Sequence, residues 1–480
     1  MSVLEHLEPR SVFMWFERLC AIPHGSGNTK AASDWLVSFA RERGLSWEQD
    51  ALYNVLIRKD ASPGYEAAPG VILQGHIDMV CEKLPECPLD LARDGLALRV
   101  EGDTVYAEGS TLGGDDGVAV AMMLALLDDG ALPHPALECL FTTDEEIGML
   151  GAAGLNFALI RARRMINLDS EEEGIFTVGC AGGRLVTLSL PVDREEGAGV
   201  PLRLEVSGLT GGHSGGEIHK GRANAVMLLG RLLYRLKRRT DFRLQSVSGG
   251  GKDNAIPMSA SASLCAADAE AAAALCREME QALREEYAVT DGGVRVALHP
   301  GTPGPVMDAE STERVGRLLL CAPDGVQAMS PDIPGLVQTS LNLGILRTVP
   351  DGVEASFCVR SSVESQKWML TDRLECLAAG LGGGITVSGD YPGWAYRRES
   401  PLRDLMTEVF TEQYGHAPVI AAIHAGLECG LFSAYLPGLD CVSIGPELSD
   451  IHTPRERLHV ASLGRTWALL CETLKRMKGT

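Results

Sequence analysis

Gly70-Val71-Ile72-Leu73-Gln74-Gly75-His76-Ile77-Asp78 begins as a short apolar run, β-branched at its start, and ends on an imidazole and a carboxylate. A run of that length and composition predicts a buried strand. His76 and Asp78, two positions apart at its end, fall on one face. The pattern recurs outward from this stretch. The run Leu137-Glu138-Cys139-Leu140-Phe141-Thr142 leads into Thr143-Asp144-Glu145-Glu146, and Met165-Ile166-Asn167-Leu168 leads into Asp169. Gly113-Gly114-Asp115-Asp116-Gly117 precedes an apolar helix over 117–128, whose N-terminus favours negative charge. A fifth patch, Asp450-Ile451-His452, follows a predicted strand at 439–444. Strands and helices alternate, which predicts an α/β sheet, and open α/β sheets gather ligands at the carboxyl ends of their strands.

Four patches lie in the first third of the chain and the fifth near its end, so a large segment separates two parts of one site. Residues 1–182 and 392–480 are expected to build a mostly parallel central sheet flanked by helices. Residues 183–391 are expected to form an inserted α+β lid domain. Within the insert the predicted elements run strand 201–207, helix 223–238, strands 242–248 and 259–265, helix 268–285 and strand 293–298. A second round has helix 310–321, strands 336–346 and 353–360, helix 365–380 and strand 384–388. Each round reads as a ferredoxin-like β-α-β-β-α-β unit, with the first strand of the second round unassigned.

Bulk properties bound the function. At 480 residues two domains are the default. A net charge of −21 opposes binding to nucleic acid or anionic membrane. The first ten residues show no signal-peptide pattern, and no apolar run is long enough to span a bilayer. Thirteen cysteines form no C-x-x-C pair, which suits reduced thiols in a cytoplasm.

Imidazole and carboxylate donors are the ligand types of a borderline divalent ion such as Zn²⁺. Two histidines and three carboxylates suit a pair of ions if one carboxylate bridges them. Each patch alone has a plainer reading: a surface His-x-Asp pair, an N-cap at Asp115, an acidic helix start at Glu145-Glu146. Asp115, flanked by glycines, has a backbone free to bend and a carboxylate able to bridge. Adjacent Glu145 and Glu146 point different ways, so one can bind metal while the other moves a proton. Asp169 ends its strand, whereas Glu171-Glu172-Glu173 read as an exposed turn. Asp78 is placed to orient His76. Gly212-His213-Ser214-Gly215-Gly216 also fits the G-x-S-x-G serine elbow, but no helix follows Ser214 directly, as an elbow requires.

Together these stretches resemble a known family. Gln74-Gly75-His76-Ile77-Asp78-Met79-Val80, Thr142-Thr143-Asp144-Glu145-Glu146-Ile147-Gly148-Met149, Gly208-Leu209-Thr210-Gly211-Gly212-His213-Ser214-Gly215-Gly216-Glu217-Ile218 and His424-Ala425-Gly426-Leu427-Glu428-Cys429-Gly430 are similar to motifs of the dinuclear-zinc peptidases. That family includes glutamate carboxypeptidase and carnosinase, and the branch of bacterial aminoacyl-histidine dipeptidases matches best. The resemblance spans essentially the whole chain. It implies His76, Asp115, Glu146, Asp169 and His452 as ligands of two Zn²⁺, replaceable by Co²⁺ or Mn²⁺, with Asp115 bridging and a cis bond after it. Relatives often carry Gly-Ala-Asp-Asn-Gly where this chain has Gly113-Gly114-Asp115-Asp116-Gly117, which leaves Asp116 as a second candidate bridge. Glu145 is implied as general acid/base, Asp78 as support for His76 and His213 as a donor to the oxyanion. Asn254, Arg360 and Gly426 are implied as substrate contacts. In smaller relatives His213's counterpart comes from a partner subunit. The doubled insert suggests the same chain supplies it here, with a homodimer still possible.

The expected activity is hydrolysis of dipeptides, preferentially Xaa-His including β-alanyl-histidine. The alternatives are an N-acyl amino acid deacylase or broad dipeptidase on the same site, and a non-catalytic metal-binding protein.

Overall fold

The computed structural model describes residues 2–479. It divides into two compact units: residues up to Gly179 with Trp394–Ala422 and those from Leu427 onward, and Cys180–Gly393 with Ile423–Gly426.

The first unit is built on an eight-stranded mixed sheet. Its order is Ser46–Gln49, Val55–Lys59, Leu137–Thr142, Val71–His76, Arg164–Asn167, Asp440–Ser443, Ile175–Cys180, Val419–Ile423. The central four strands, from Leu137–Thr142 to Asp440–Ser443, run parallel, and antiparallel pairs flank them. The parallel strands are buried along almost their whole length, which is why they read as continuous apolar runs rather than alternating ones. Their register pairs His76 with Thr142 and Gln74 with Asn167, so three carboxyl ends finish side by side.

Helix Gly114–Asp128 is buried at every position but its last, apolar on all sides rather than amphipathic. It packs on strand Val71–His76 and on helix Arg10–Cys20. The close approach depends on Gly75, where an added Cβ would lie 2.3 Å from Asp116 Oδ2 and 2.6 Å from Ala119 Cβ. Asp115 and Asp116 lie in the first turn with non-helical dihedrals, and the bond between them is cis. A small four-stranded antiparallel sheet, absent from the sequence expectations, joins Leu98–Glu101 and Thr104–Ala107 to Leu448–Ser449 and Arg457–His459.

The second unit is a nine-stranded antiparallel sheet. Arg295–Pro300, Val200–Ser207, Ala260–Ala266 and Phe242–Gly249 form one half, with helices Ala225–Lys237 and Ala269–Glu286. Val337–Val349, Gly352–Ser361, Gly182–Pro191 and Gly384–Tyr391 form the other, with helices Ala309–Cys321 and Glu364–Gly380, and Gly325–Met329 pairs beside Val337–Val349. Numbered in chain order, each half has the spatial order 4-1-3-2 of a β-α-β-β-α-β unit. The halves join edge to edge where Ser248 meets Arg347 and Gly249 meets Leu346. The unassigned first strand of the second round is Gly182–Pro191, which precedes the entire first round in the chain. One half is thus threaded between the first strand and first helix of the other. Leucines and valines from both halves fill a continuous core.

Candidate active site

The three neighbouring strand ends of the first unit bring most of the acidic patches together. His76 is buried, with Nε2 3.2 Å from Asp115 Oδ1 and 3.7 Å from Asp169 Oδ1. On the other side, His452 Nε2 lies 3.0 Å from Asp115 Oδ2 and 2.9 Å from Glu146 Oε1. Asp115 therefore divides its two oxygens between two groups of donors. Asp116 lies beside this cluster, and its Oδ2 accepts from the His76 backbone N–H at 3.1 Å. Triads of donor atoms within 4.8 Å of one another are His76/Asp115/Glu146, His76/Asp116/Asp169 and Asp115/Asp169/Glu171. Asp144, Asp450 and His452 all hold positive φ, backbone strain of the kind that collects at functional sites.

The electrostatics follow from burial and crowding. The Asp115 and Glu146 carboxylates beside its ring push His452 up to about 10. Asp115 is held below the usual carboxylate range, because the two imidazoles outweigh its burial. Burial pushes Asp169 and Asp116 well up, and it raises Glu145 to about 8 with help from the Asp169, Glu146 and Asp115 charges. The cluster carries more carboxylate than its two imidazoles can balance.

Asp78 supports the site differently from the expectation. The His76 ring meets the Asp78 backbone carbonyl at Nδ1, 2.9 Å away, while the Asp78 carboxylate lies 3.5 Å off. That carboxylate instead accepts from the Glu145 N–H at 3.1 Å, the Glu146 N–H at 3.4 Å and Ser26 Oγ at 2.8 Å. It thereby ties down the Glu145-Glu146 loop.

Three further residues escaped the sequence reading. Buried Glu456 accepts four backbone N–H groups, from Leu112, Gly113, Gly114 and Asp115 at 2.8, 3.2, 2.8 and 3.4 Å, and so fixes the loop that presents Asp115. Fully buried Glu428 accepts from Gln74 Nε2 at 2.6 Å and Thr142 Oγ1 at 2.7 Å, while Gln74 Oε1 accepts from Asn167 at 2.6 Å. This bridge lies just upstream of His76, Glu145 and Asp169. Burial, and then the Glu145 charge, push Glu428 up to about 8. Glu171, read above as part of an exposed turn, is half-buried beside Asp115 and Asp169, and burial raises it to about 7. A lone glutamate has no spacing signal, so no pattern marks Glu456, and Glu428 lies in a quoted motif that gave it no role. Glu171 was visible, but its partners are distant in the chain.

The second unit holds the remaining candidates. His213, in the short strand Gly212–His213, pairs with Ala255 beside Asn254. Its Nδ1 accepts from the Gly215 and Gly216 N–H groups at 3.2 and 3.0 Å, so any proton on the neutral ring sits on Nε2. Burial and the Arg360 charge lower its pKa, which keeps the ring neutral. The same two causes lower His424 to about 3. Asn254 is exposed, and its backbone carbonyl accepts from the Ser214 N–H at 2.8 Å. Gly426 follows His424 in the segment Ile423–Gly426. Ser214 opens no nucleophile elbow, since a turn and the 3-10 helix Ile218–Lys220 follow it and the next α-helix starts at Ala225.

Comparison with known proteins places this arrangement. Residues 72–476 match the model of peptidase family M20/M25/M40, and the chain belongs to that family. It is 39% identical to the cytosol non-specific dipeptidase of Escherichia coli over 99% of both chains. The structure of aminoacylhistidine dipeptidase from Vibrio alginolyticus superposes with a TM-score of 0.94 at 35% identity, covering 99% of this chain and 98% of that one. A Staphylococcus aureus tripeptidase, at 17% identity and a TM-score of 0.56 over 99% of this chain and all of that one, shares the fold. The chain is a hydrolase and a dipeptidase of that family, and none of its described helices is long and apolar enough to cross a membrane.

Proposed function

We propose that this dipeptidase works with two zinc ions, replaceable by cobalt or manganese, and prefers Xaa-His dipeptides including β-alanyl-histidine, in the cytoplasm. The observation carrying this reading is the division of Asp115, one oxygen toward His76, which Asp169 also approaches, and the other toward His452, which Glu146 also approaches. Glu146 Oε1 supports it. That oxygen is buried and makes no aligned hydrogen bond, although His452 Nε2 is 2.9 Å away. A lone pair and a ring nitrogen so close yet misaligned suit a shared cation better than each other. His76 and Asp169 would hold one ion and Glu146 and His452 the other, with Asp115 common to both.

The chemistry such ions supply when bound is positive charge that acidifies a water near neutral pH and polarises the scissile carbonyl. The Glu145 carboxylate takes the proton of the attacking water and returns it to the leaving amine nitrogen. Asp78 keeps Glu145 in place through its backbone N–H. The His213 ring, with Nδ1 engaged by two amides, offers Nε2–H to the oxyanion. Arg360 takes the substrate carboxylate through its planar fork, with Asn254 and Gly426 alongside.

The two relatives carry different printed specificities, non-specific for one and aminoacylhistidine for the other. A panel of Xaa-His dipeptides, other dipeptides and N-acyl amino acids, assayed after chelation and after zinc return, tests the reading. Metal-dependent turnover led by Xaa-His supports it. Equal rates on all dipeptides would replace the specificity with a broad one, and faster turnover of acyl-amino acids would replace the activity with deacylation.

A further inference from the structure

Arg360 is 93% buried by its 7% exposure, its Nε has no hydrogen-bond partner, and no carboxylate lies within ion-pair distance among the described residues. A buried guanidinium in that state is costly unless a ligand completes it. Among the described residues its aligned hydrogen bond runs from Nη1 to the Tyr391 hydroxyl at 3.2 Å, and the Cys358 thiol is another polar neighbour.

The register shows how Tyr391 reaches it. Arg360 pairs with Gly183 across one strand boundary, and Tyr391 pairs with Gly183 across the next. The three residues form one rung over adjacent strands, on one face of the sheet. A side chain two strands away is ordinarily out of reach. Here the middle residue has none, and the phenol lies across it: a Cβ on Gly183 would sit 2.4 Å from Tyr391 Cζ and Oη. The pairing slips between Ser388 and Tyr391, a bulge that sets the tyrosine on this rung. Its backbone is anchored too. The Tyr391 carbonyl accepts from buried Lys367 at 2.8 Å. Neighbouring Asp390 bonds Lys367 at 2.8 Å and takes a two-pronged contact from Arg184 at 3.1 and 2.7 Å.

We infer that Tyr391, seated across Gly183, is a positioning residue that aims the Arg360 fork at the substrate's terminal carboxylate, and so sets this enzyme's selectivity for substrates with a free C-terminus. The inference rests on the assignment of Arg360 to that carboxylate. Tyr391 touches no substrate in this account. It fixes one arm of the guanidinium, and the unpartnered Nε is left to a carboxylate oxygen.

The test compares kcat/KM for a dipeptide and for its C-terminal amide, in zinc-loaded enzyme. Tyr391→Phe removes only the hydroxyl. It is expected to raise KM for the free acid about tenfold, to leave kcat within about twofold and to leave the amide unchanged, so the acid/amide ratio falls about tenfold. Gly183→Ala displaces the ring and is expected to lower the ratio in the same direction. If Gly183→Ala fails to fold, Tyr391→Phe decides alone. Arg360→Ala separates the two levels. If it collapses the ratio while Tyr391→Phe leaves it within twofold, the positioning role is wrong and the Arg360 assignment stands. If Arg360→Ala leaves the ratio intact, the assignment fails and takes this inference with it. A Tyr391→Phe loss spread equally over acid and amide would mark a structural role only, and would also overturn the inference.

Discussion

Replacing Glu456 by glutamine should loosen the loop that presents Asp115, and the hydrogen bonds set the size of the effect. Glu456 Oε2 accepts from Leu112 and Gly113, and Oε1 from Gly114 and Asp115, so each oxygen serves two donors. Glutamine keeps one acceptor oxygen and turns an NH₂ toward the other pair of N–H groups. One 2.8 Å bond and one longer bond are lost, and two buried donors face a donor. A hydrogen bond to a charged group is worth about 1.5–3 kcal/mol net, and an orphaned buried donor costs a similar amount. Against this, burial already holds the Glu456 pKa up, so removing the charge returns part of its desolvation penalty. The balance is a local loss of about 2–4 kcal/mol. Amide hydrogen exchange over Leu112–Asp115 should therefore speed up about thirtyfold or more, since 1.4 kcal/mol is tenfold. Zinc binding should weaken with it if Asp115 is the ligand proposed above. Exchange changed less than twofold, with zinc affinity intact, would refute the reasoning.

Glu145→Gln should lower kcat by about 10²–10⁴ while zinc content stays at the wild-type level, because in the proposed mechanism the side chain moves a proton and holds no ion; lost metal would reassign it as a ligand. His213→Ala should cut kcat by about 10²–10³ with little change in zinc content, the loss expected for one oxyanion donor; an effect confined to KM would make it a binding group. Asp324, which accepts from the Leu343 N–H at 2.8 Å and from Asn224 at 3.2 Å, is raised by burial from 3.8 to about 7. Its folded pKa exceeds its unfolded one, so its contribution is greatest below about 4 and is lost as pH rises through about 7, at up to about 1.4 kcal/mol per pH unit. Asp324→Asn should remove that decline, gaining on wild type between pH 5 and 8 in urea unfolding. A stability difference that is flat with pH would count against it.

The fold was legible where its signal is local. The helix at 117–128 and the buried parallel strands follow from apolar runs, and the structure has Gly114–Asp128 and the strands at those places. The strand Gly182–Pro191 was not assigned to the second round because its partners Gly352–Ser361 lie about 170 residues on, and periodicity carries no pairing information across an inserted half-domain. The small sheet of Leu98–Glu101 and Thr104–Ala107 was missed for a related reason: its short strands close only against Leu448–Ser449 and Arg457–His459.

The candidate site divides in the same way. His76, Asp115, Glu146, Asp169 and His452 sit in motifs, and the structure brings their donor atoms into one cluster. The residues that hold them there, Glu456, Glu428 and the Asp78 carboxylate, act through backbone amides or through Gln74 and Thr142. Such contacts depend on where the chain turns, and no residue spacing encodes that. Tyr391 is the same case in the second unit, since its reach to Arg360 exists only because Gly183 lies between them.

The central claim is that Asp115 is shared between two ions. Anomalous diffraction from zinc-loaded crystals, collected on both sides of the zinc edge, measures this directly. Two peaks are expected, one within bonding distance of Asp115 Oδ1, His76 and Asp169, the other of Asp115 Oδ2, Glu146 and His452. A single peak, or a pair bridged by Asp116 with Asp115 turned away, would contradict the account.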